Sequence, residues 1–479
     1  MNLMRKVLGK YRKLSGPAKA SLWFVMCSVL QKGVSFLTTP IFTRVLSTEE
    51  YGQVSVFQTW YSLIAVFTTL NMDVGCFNNG MLKYSENRED YVTAMQGLTT
   101  VITGVVFVIY LLNVEFWNGI TGLSTAATHI MFMQLVLLPS LMFWSARQRY
   151  EYKYIALVVI SLATTVLSPL LSLVLIQFAE DKGMARIVAF GIIDLIRGGG
   201  LYLYNLKSSK KFYVKEYWKF ALSFSIPLIP HYLSMMVLGQ SNKIMIEKIC
   251  GKTEVAIYSV AYSISLLMNI VTNAINSSLT PWIYQNMEKS NIVVIKRNTW
   301  KILLGVAGIS IMPALLAPEV MVIMAPSEYI SAIWIIPSVA TSVYFSFLYS
   351  LFATMEFFYE ESKFSAVASS ITAIVNIALN AILIPVFGFI AAGYTTMISY
   401  ILLSILHYCY MRKVLQKKGI QTSVFDDKKI VIISFVYILT SLIILLLYNY
   451  TLIRYTIIFV MFVLCLVKRK ELVSLISKE

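Results

Sequence analysis

Long apolar runs dominate this chain of 479 residues and set the first constraint on its fold. A helix that crosses a bilayer needs about 20 mostly apolar residues. Because hydrocarbon cannot satisfy free backbone N–H and C=O groups, such runs have to be helical. The chain is therefore expected to be an all-α, polytopic membrane protein with about 14 transmembrane helices. The predicted spans are 20–43, 51–76, 92–113, 122–146, 154–178, 185–206, 220–247, 254–282, 299–325, 329–356, 364–386, 390–411, 430–448 and 452–467.

Composition excludes several other classes of protein. Hydrophobic residues make up 58% of the chain and charged residues 13%, against about 45–50% and about 25% in soluble domains. A soluble enzyme, a disordered chain and a secreted disulfide scaffold all fit these values poorly. The five cysteines and three histidines are scattered, so we expect no metal site and no cofactor.

The net charge of +16 fits a membrane protein better than a nucleic-acid-binding protein. The basic residues lie in short clusters between apolar runs, as they do when cytoplasmic loops hold Lys and Arg. If the N-terminus is cytoplasmic, most of the 40 basic residues fall on the cytoplasmic side and few fall in outer loops. We therefore expect both termini in the cytoplasm and no nucleic-acid partner.

An internal repeat divides the chain. The segment Arg44–Val56 after the first span matches Lys248–Val260 after the seventh span, at a constant offset of 204 residues. Six spans separate the two copies, so the two halves should have parallel orientation with a substrate path between them. We predict an N-terminal lobe over 1–206, a C-terminal lobe over 207–412, and two additional helices with a cytoplasmic tail over 413–479.

Polar side chains follow helical spacing on several predicted spans. Because these stripes occur in corresponding spans of both halves, we favour a shared aqueous cavity over packing between helices. For Asn376 and Asn380 on the eleventh span we favour the alternative, hydrogen bonding between packed helices. The candidate cavity-lining residues are Ser28, Ser35, Thr39, Thr59, Ser62, Asn269, Asn273 and Asn276.

Charged side chains within spans are costly and normally face a cavity or a partner. Lys32 has no acidic residue three or four positions away, so it meets either an anionic substrate or a carboxylate on another helix, such as Asp73 at the end of the second stripe. Asp194 and Arg197 are spaced i, i+3 and favour a structural ion pair, with ion coupling or gating as the alternative. Lys243 either faces the cavity or extends to the interface.

Acidic residues near the ends of spans are expected to be hydrated. We place Glu319 at the interface near the outer end of the ninth span, and Glu356 in solvent at the inner face. The chain has no Walker A loop, G-x-S-x-G elbow or H-E-x-x-H motif. The predicted outer loops are also too short for a membrane polymerase or ligase, so we predict no catalytic residue and no enzyme.

Several sequence blocks resemble one family. Pro227–His231, followed by Ser241–Lys243, resembles the helix 7 signature of Wzx-type polysaccharide flippases, which commonly read P-L-I-P-H-x-L-S and then S-D-R. Arg44–Gly52, Tyr258–Tyr262 and Asn376–Pro385 resemble other family blocks, so the resemblance runs from about residue 18 to residue 411. The family's Asp-Arg is Asn242-Lys243 here, which removes a carboxylate and replaces a bidentate phosphate binder by a point charge. We still count Asn242 among the cavity-lining residues.

The resemblance implies a protein of the multidrug/oligosaccharidyl-lipid/polysaccharide (MOP) exporter superfamily in the bacterial inner membrane. It implies two six-helix lobes that form a V around a central cavity. It also implies a substrate, an oligosaccharide on undecaprenyl pyrophosphate, that moves from the cytoplasmic to the outer leaflet by alternating access. The product would be O-antigen, capsule or exopolysaccharide, and polysaccharide polymerase machinery would be a partner.

Residue chemistry and the resemblance together give candidate roles. We expect Lys32 to contact the pyrophosphate, with Lys243 and Arg197 as secondary contacts. Asp73 and Asp194 are the candidates for coupling to H+ or Na+. The alternatives are a drug/cation antiporter or a lipid II flippase of the same superfamily, and, less favoured, a membrane polysaccharide polymerase or ligase.

The predicted topology can be tested with reporter fusions. A fluorescent protein fused after Glu479 should fluoresce, and alkaline phosphatase fused there should be inactive, because the basic loops hold that end in the cytoplasm. The same two reporters inserted at residues 179–181, in a predicted outer loop, should give the reverse result. Phosphatase activity at the C-terminus would contradict the predicted orientation.

Overall fold

The computed structural model describes residues 15–73, 75–361 and 363–467. In these ranges the chain forms helices and turns, and no β-strand. The helices are α1 (Gly16–Val45), α2 (Thr48–Thr69), α3 (Phe77–Lys83), α4 (Arg88–Leu112), α5 (Val114–Thr121), α6 (Thr125–Tyr150), α7 (Tyr154–Ile176), α8 (Lys182–Ser208), α9 (Lys215–Ser225), α10 (Ile229–Ile249), α11 (Lys252–Glu288), α12 (Ile292–Leu315), α13 (Ala317–Met324), α14 (Ile336–Phe358), α15 (Lys363–Phe387), α16 (Ile390–Lys417), α17 (Asp427–Leu447) and α18 (Thr451–Val467).

The predicted all-α, polytopic fold is confirmed. A helix occupies the greater part of each of the fourteen predicted spans. Within the described residues, twelve helices or continuous helical runs are long and apolar enough to cross a membrane. The other two predicted spans correspond to α2, which carries more polar side chains, and to α18, which is shorter.

The second predicted span ends earlier than expected. It was predicted over 51–76, but α2 ends at Thr69 because Leu70 and Asn71 adopt φ values of 50° and 45°. Such left-handed residues cannot continue a right-handed helix. The placement of Asp73 on the polar stripe of α2 was therefore wrong, since Asp73 lies in the turn that follows the helix.

Prolines interrupt two other predicted spans. The span predicted over 220–247 is built from α9, a short 3-10 turn and α10, with Pro227 and Pro230 at the junction. The span predicted over 299–325 is divided into α12 and α13, with Pro318 in the first turn of α13. Proline lacks an N–H group and its ring crowds the carbonyl four residues earlier, so a regular helix does not continue through these positions.

The internal repeat is visible in the helix starts. Helix α2 begins at Thr48 and α11 begins at Lys252, which reproduces the offset of 204 residues seen in the sequence. Ser47 caps α2 in a reciprocal box, in which Ser47 N donates to Glu50 Oε2 at 2.8 Å and Glu50 N donates to Ser47 Oγ at 3.2 Å. Gly251 precedes α11 at the equivalent position with a φ of +114°, a conformation that favours glycine.

The helices pack into two compact units whose boundary falls between Gln240 and Ser241, inside α10. In the first unit α6 packs against α4 and α8, and α7 packs against α8. In the second unit α14 packs against α12 and α16, and α15 packs against α16. The same packing scheme is thus used twice, six spans apart. The lobe boundary drawn at 206/207 from the sequence stays a prediction.

The end of α8 and the segment after it pack closely on α4 in the first unit. The Trp218 indole donates to the Ala94 carbonyl at 2.8 Å, and the Thr93 hydroxyl donates to the Asn205 carbonyl at 3.0 Å. Gly97 makes this approach possible, because a Cβ atom there would lie 2.1 Å from the Phe212 carbonyl oxygen. The glycine therefore sets how closely the backbone leading into α9 can approach α4.

An ion pair of a buried arginine with a partly exposed glutamate fixes α18 in the second unit. Arg454 is 2% exposed; its two terminal nitrogens each donate to one carboxylate oxygen of Glu319 at 2.8 Å, and one of them also donates to the Leu315 carbonyl at 2.8 Å. The sequence placed Glu319 at the interface and gave it no partner. Helix α18 begins at Thr451 and turns the Arg454 guanidinium towards α12 and α13.

The close approach at Gly97 can be tested by adding one methyl group. Gly97→Ala should lower the free energy of unfolding in detergent by about 1–3 kcal/mol, because the new Cβ atom overlaps backbone that cannot move freely. Gly104→Ala, on the same helix with nothing within 4 Å of the added Cβ atom, is the matched control. The control should be neutral or stabilising by up to about 1 kcal/mol. Equal effects of the two substitutions would contradict this packing.

Candidate functional site

The polar face of α1 carries the cation that we expect to contact the substrate. Ser28 and Ser35 are exposed, and Lys32 between them is half-buried. Within the described residues Lys32 makes no hydrogen bond and no ion pair, so the alternative pairing with Asp73 is not formed. Lys32 is therefore a cation without a protein counter-ion on an accessible polar face of a membrane-spanning helix.

Other members of the predicted stripes are less accessible. Thr39 on α1 and Thr59 on α2 are buried, and their hydroxyls donate to the carbonyls four residues earlier at 3.1 and 2.8 Å. Ser62 on α2 is half-buried and donates in the same way at 2.8 Å. The backbone of their own helix thus satisfies these three hydroxyl donors. Their role in lining a cavity stays a prediction.

A polar network in the first unit surrounds Asp194. Arg197, one turn later on α8, forms an ion pair with this carboxylate, as the spacing favoured. Gln134 of α6 donates to Asp194 Oδ2 at 2.7 Å, and Arg197 donates to the Thr164 hydroxyl of α7 at 3.3 Å. The network thus joins α6, α7 and α8. Since Asp194 neutralises Arg197, this arginine is less available to a substrate anion than Lys32 is.

Asp73, the other candidate for ion coupling, lies beside α10 in the first unit. It is half-buried in the turn after α2 and within electrostatic range of Cys76 and Tyr232. The turn approaches α10 closely, since a Cβ atom on Gly75 would lie 3.6 Å from the Tyr232 hydroxyl. Asp73 is thus held next to the proline-interrupted entry into α10, and its role in coupling stays a prediction.

A buried amide cluster lies in the second unit. Asn242 of α10 is 1% exposed and donates to the Tyr258 hydroxyl of α11 at 2.8 Å and to the Thr396 hydroxyl of α16 at 2.6 Å. Its carbonyl oxygen accepts a hydrogen bond from Asn380 of α15 at 2.7 Å. Four helices therefore meet at one side chain, and all three partners are uncharged.

The cluster continues through the second asparagine of α15. Asn376 accepts from Asn380 at 3.1 Å and from Ser241 at 3.2 Å, and donates to Ser399 of α16 at 3.1 Å. The interpretation of Asn376 and Asn380 as packing residues is confirmed. Asn242, which we counted as cavity-lining, is enclosed by the same network, so its carboxamide binds helices together in this structure.

Lys243 follows directly after this cluster. It is half-buried, and its ammonium lies 5.9 Å from the centre of the Tyr262 ring on α11. Glu247, one turn later, contacts Lys248 at 3.4 Å and not Lys243. Among the described residues no carboxylate pairs with Lys243. The second unit therefore also presents a cation whose stabilising contact is an aromatic ring.

The stripe on α11 combines bridging and accessible side chains. Asn276 is half-buried and donates to the Ser350 hydroxyl of α14 at 2.6 Å. Asn269 is half-buried and Asn273 is exposed. The stripe thus holds α11 to α14 at one end and offers amide groups at an accessible surface further along the helix.

Sequence reasoning missed the pairing of Glu356 with His407. Glu356 was expected in solvent, and that was wrong: it is fully buried, and its Oε1 lies 2.8 Å from Nδ1 of His407 on α16. The burial follows from the packing of α14 against α16, which turns this face of α14 inward. The available signal was His407 itself, because a histidine within an apolar span requires a polar partner.

The energetic role of the amide cluster can be measured by removing its centre. Asn242→Leu leaves the Tyr258 and Thr396 hydroxyls and the Asn380 amide without one partner each, at a cost of about 1–3 kcal/mol per unsatisfied group. The variant should unfold at a clearly lower temperature than the wild type in detergent. Asn273→Leu, on the exposed face of α11, should unfold close to the wild-type temperature. If Asn242→Leu unfolded at the wild-type temperature, the cluster would not contribute to the stability of the protein.

Comparison with known proteins identifies relatives of the chain. Residues 18–287, more than half of the chain, match the family described as "Polysaccharide biosynthesis protein". "Lsg locus putative protein 1" of Haemophilus influenzae is 24% identical over 379 residues, which cover 75% of this chain and 89% of the relative. An "Uncharacterized membrane protein" of the same organism is 23% identical over 312 residues, covering 63% of this chain and 74% of the relative.

Solved structures agree with the fold. The lipid II flippase MurJ in an inward closed conformation matches with a TM-score of 0.70 at 12% identity, covering 94% of this chain and 100% of the other. An inward-facing multidrug resistance MATE family transporter of the MOP superfamily matches with a TM-score of 0.62 at 12% identity, covering 82% and 96%. The chain therefore belongs to the polysaccharide biosynthesis protein family and has the fold of the MOP superfamily exporters.

Proposed function

We propose that this membrane transporter is a flippase for an oligosaccharide linked to undecaprenyl pyrophosphate. It would move the lipid-linked glycan from the cytoplasmic to the outer leaflet by alternating access, for the synthesis of O-antigen, capsule or exopolysaccharide. Membership in the polysaccharide biosynthesis family supports the glycan, and the MOP fold supports transport. The proposed location is the bacterial inner membrane, with both termini in the cytoplasm.

The proposed substrate rests on one observation, the half-buried Lys32 ammonium without a carboxylate partner among the described residues. A half-buried ammonium on a membrane-spanning helix is costly unless an anion or water accompanies it. No carboxylate of the described residues pairs with it, so the anion is free to come with the substrate. A pyrophosphate carries the charge and acceptor oxygens that a lysine binds, while the prenyl chain can stay in the lipid.

The remaining groups are assigned by their accessibility. The exposed Ser28, Ser35 and Asn273 can offer donors and acceptors to sugar hydroxyls. Lys243 is a second cation without a carboxylate partner, and we assign it a secondary contact with the anionic headgroup. Arg197 can contribute only if it leaves Asp194, so we rank it below the two lysines.

The role of Lys32 can be tested in a strain that lacks the protein. Complementation with Lys32→Ala should lower surface glycan about 10- to 100-fold and cause the lipid-linked oligosaccharide to accumulate in the inner leaflet. This range corresponds to the loss of one charge-assisted contact of about 1.5–3 kcal/mol. Lys32→Arg should retain most activity because it keeps the positive charge.

Lys210→Ala is the matched control, because Lys210 is an exposed lysine in the connection after α8. All three variants are compared at equal membrane abundance. Export that is unaffected in Lys32→Ala would refute the assigned contact. If the missing strain accumulated lipid II or lost drug resistance and kept its surface glycan, the proposed substrate would be wrong.

A further inference from the structure

The buried pair of Glu356 and His407 has a feature that a structural ion pair does not need. Glu356 is 0% exposed and His407 is 2% exposed. One carboxyl oxygen, Oε1, contacts Nδ1 of His407 at 2.8 Å. The other, Oε2, is buried without a hydrogen-bond partner among the described residues. An ionised carboxylate with one bare oxygen is expensive to bury, whereas a neutral carboxyl group tolerates a bare carbonyl oxygen far better.

The surroundings of the pair are aromatic. The Tyr349 ring lies 5.4 Å from the His407 ring, and the Phe364 ring at the start of α15 lies 6.2 Å from it. Tyr410 on α16 stacks on Phe364 at 4.2 Å. These contacts enclose the pair between α14, α15 and α16. A net charge on the pair would therefore be stabilised poorly, because its neighbours are apolar.

Other charged side chains near the pair form ion pairs with one another. Glu361, after α14, binds Lys417 of α16 at 2.7 Å, and Arg412 of α16 lies 3.9 Å from Asp427 of α17. Glu356 therefore depends on His407 for its charge balance. The other side chains on the packed elements add no buried charge. Lys296 and Arg297 of α12 are exposed to solvent. The remaining ones are uncharged, namely Tyr284 of α11, which contacts Phe358, buried Ile295 and Thr299 of α12, and Tyr408 of α16.

The hydrogen bond between Oε1 and Nδ1 forms with either atom as the donor. A carboxylate that accepts from a neutral Nδ1–H imidazole would give the pair one negative charge, whereas a protonated carboxyl group that donates to Nδ1 gives it zero net charge. The full burial of Glu356 and the bare Oε2 favour the protonated carboxyl group. Release of the proton leaves a carboxylate and a neutral imidazole, that is, one uncompensated negative charge at a fully buried site. Release is therefore strongly unfavourable until the packing of α14 on α16 opens and water reaches the carboxylate.

We propose that Glu356 and His407 form a proton-binding site that couples movement of the second unit to the binding and release of one proton. The pair holds one proton while α14 and α16 are closed on it, and gives that proton to water when they separate. Proton binding and the closed packing then stabilise one another, as linkage requires. This inference rests on the proposed function, because the movement that the proton controls is part of the transport cycle.

The position of the pair favours access from one end of the helix. Glu356 lies two residues before Phe358, where α14 ends, and Phe357 beside it is 51% exposed. Lys417 and Glu361, near the same end, are at the surface. A small separation of α14 from α16 at this end would be enough to hydrate the carboxyl group.

The first test uses infrared difference spectroscopy on the purified full-length protein, between acidic and alkaline buffer. A C=O stretch of a protonated carboxyl group, sensitive to D2O, should appear in the wild type and be lost in Glu356→Gln. Glu361→Gln is the matched control, because it removes a carboxylate from an ion pair at the same end of α14 and should keep the band. A wild type without the band, or a band that Glu356→Gln keeps, would overturn the proposal.

The second test measures transport in proteoliposomes loaded with an undecaprenyl-pyrophosphate-linked oligosaccharide. The transport rate of the wild type and of Glu361→Gln should change with the pH of the buffer, and the rate of Glu356→Gln, whose side chain mimics the protonated state, should not. If the wild type moves no glycan, the proposed function fails while the infrared result still decides the proton site. If it moves glycan at a rate indifferent to pH, the proton coupling fails and the proposed function stands.

Folding of the variants is checked by size-exclusion chromatography in detergent. If Glu356→Gln does not fold, His407→Gln replaces it and should shift the pH at which the carboxyl band disappears. If neither variant folds, wild-type protein with 15N-labelled histidine decides by NMR, since the chain has only three histidines. One histidine should then titrate together with the carboxyl band, and independent titration of all three would overturn the proposal.

Discussion

Hydrocarbon offers no hydrogen bonds, so each polar group on a membrane-spanning helix of this chain must find a partner in the protein or in water. The hydroxyls of Thr39, Thr59 and Ser62 use their own helix backbone. The carboxamides of Asn242 and Asn380 use neighbouring helices. A polar group that lacks a partner in the protein is therefore a candidate binding site, because its partner has to come from the substrate or from solvent.

The two units apply one packing scheme and satisfy its polar groups differently. In the first unit a charged network centred on Asp194 and Arg197 joins α6, α7 and α8. In the second unit an uncharged cluster around Asn242 joins α10, α11, α15 and α16. A neutral cluster holds helices together without attracting counter-ions. The buried pair of Glu356 and His407 joins α14 to α16 in the same unit.

Much of the fold follows from local properties of the chain. Apolar length locates each of the fourteen spans, because a bilayer crossing has a fixed thickness. The repeat offset of 204 residues also locates the equivalent starts of α2 and α11. The end of α2 at Thr69 was not predictable in this way, since Leu70 and Asn71 adopt left-handed conformations that neither residue type requires. The break between α12 and α13 was signalled by Pro318, and its position depended on the packing.

The sequence by itself determined that this chain is a helical membrane protein with two repeated halves, and which polar side chains lie on its spans. It also paired Asp194 with Arg197, because their spacing of one helical turn is a local property. Only the tertiary structure decided that Glu356 meets His407 and that Glu319 meets Arg454, across 51 and 135 residues of chain. Helical periodicity fixes which side chains share a face, but the partner of a face is set by packing between helices that are distant in sequence.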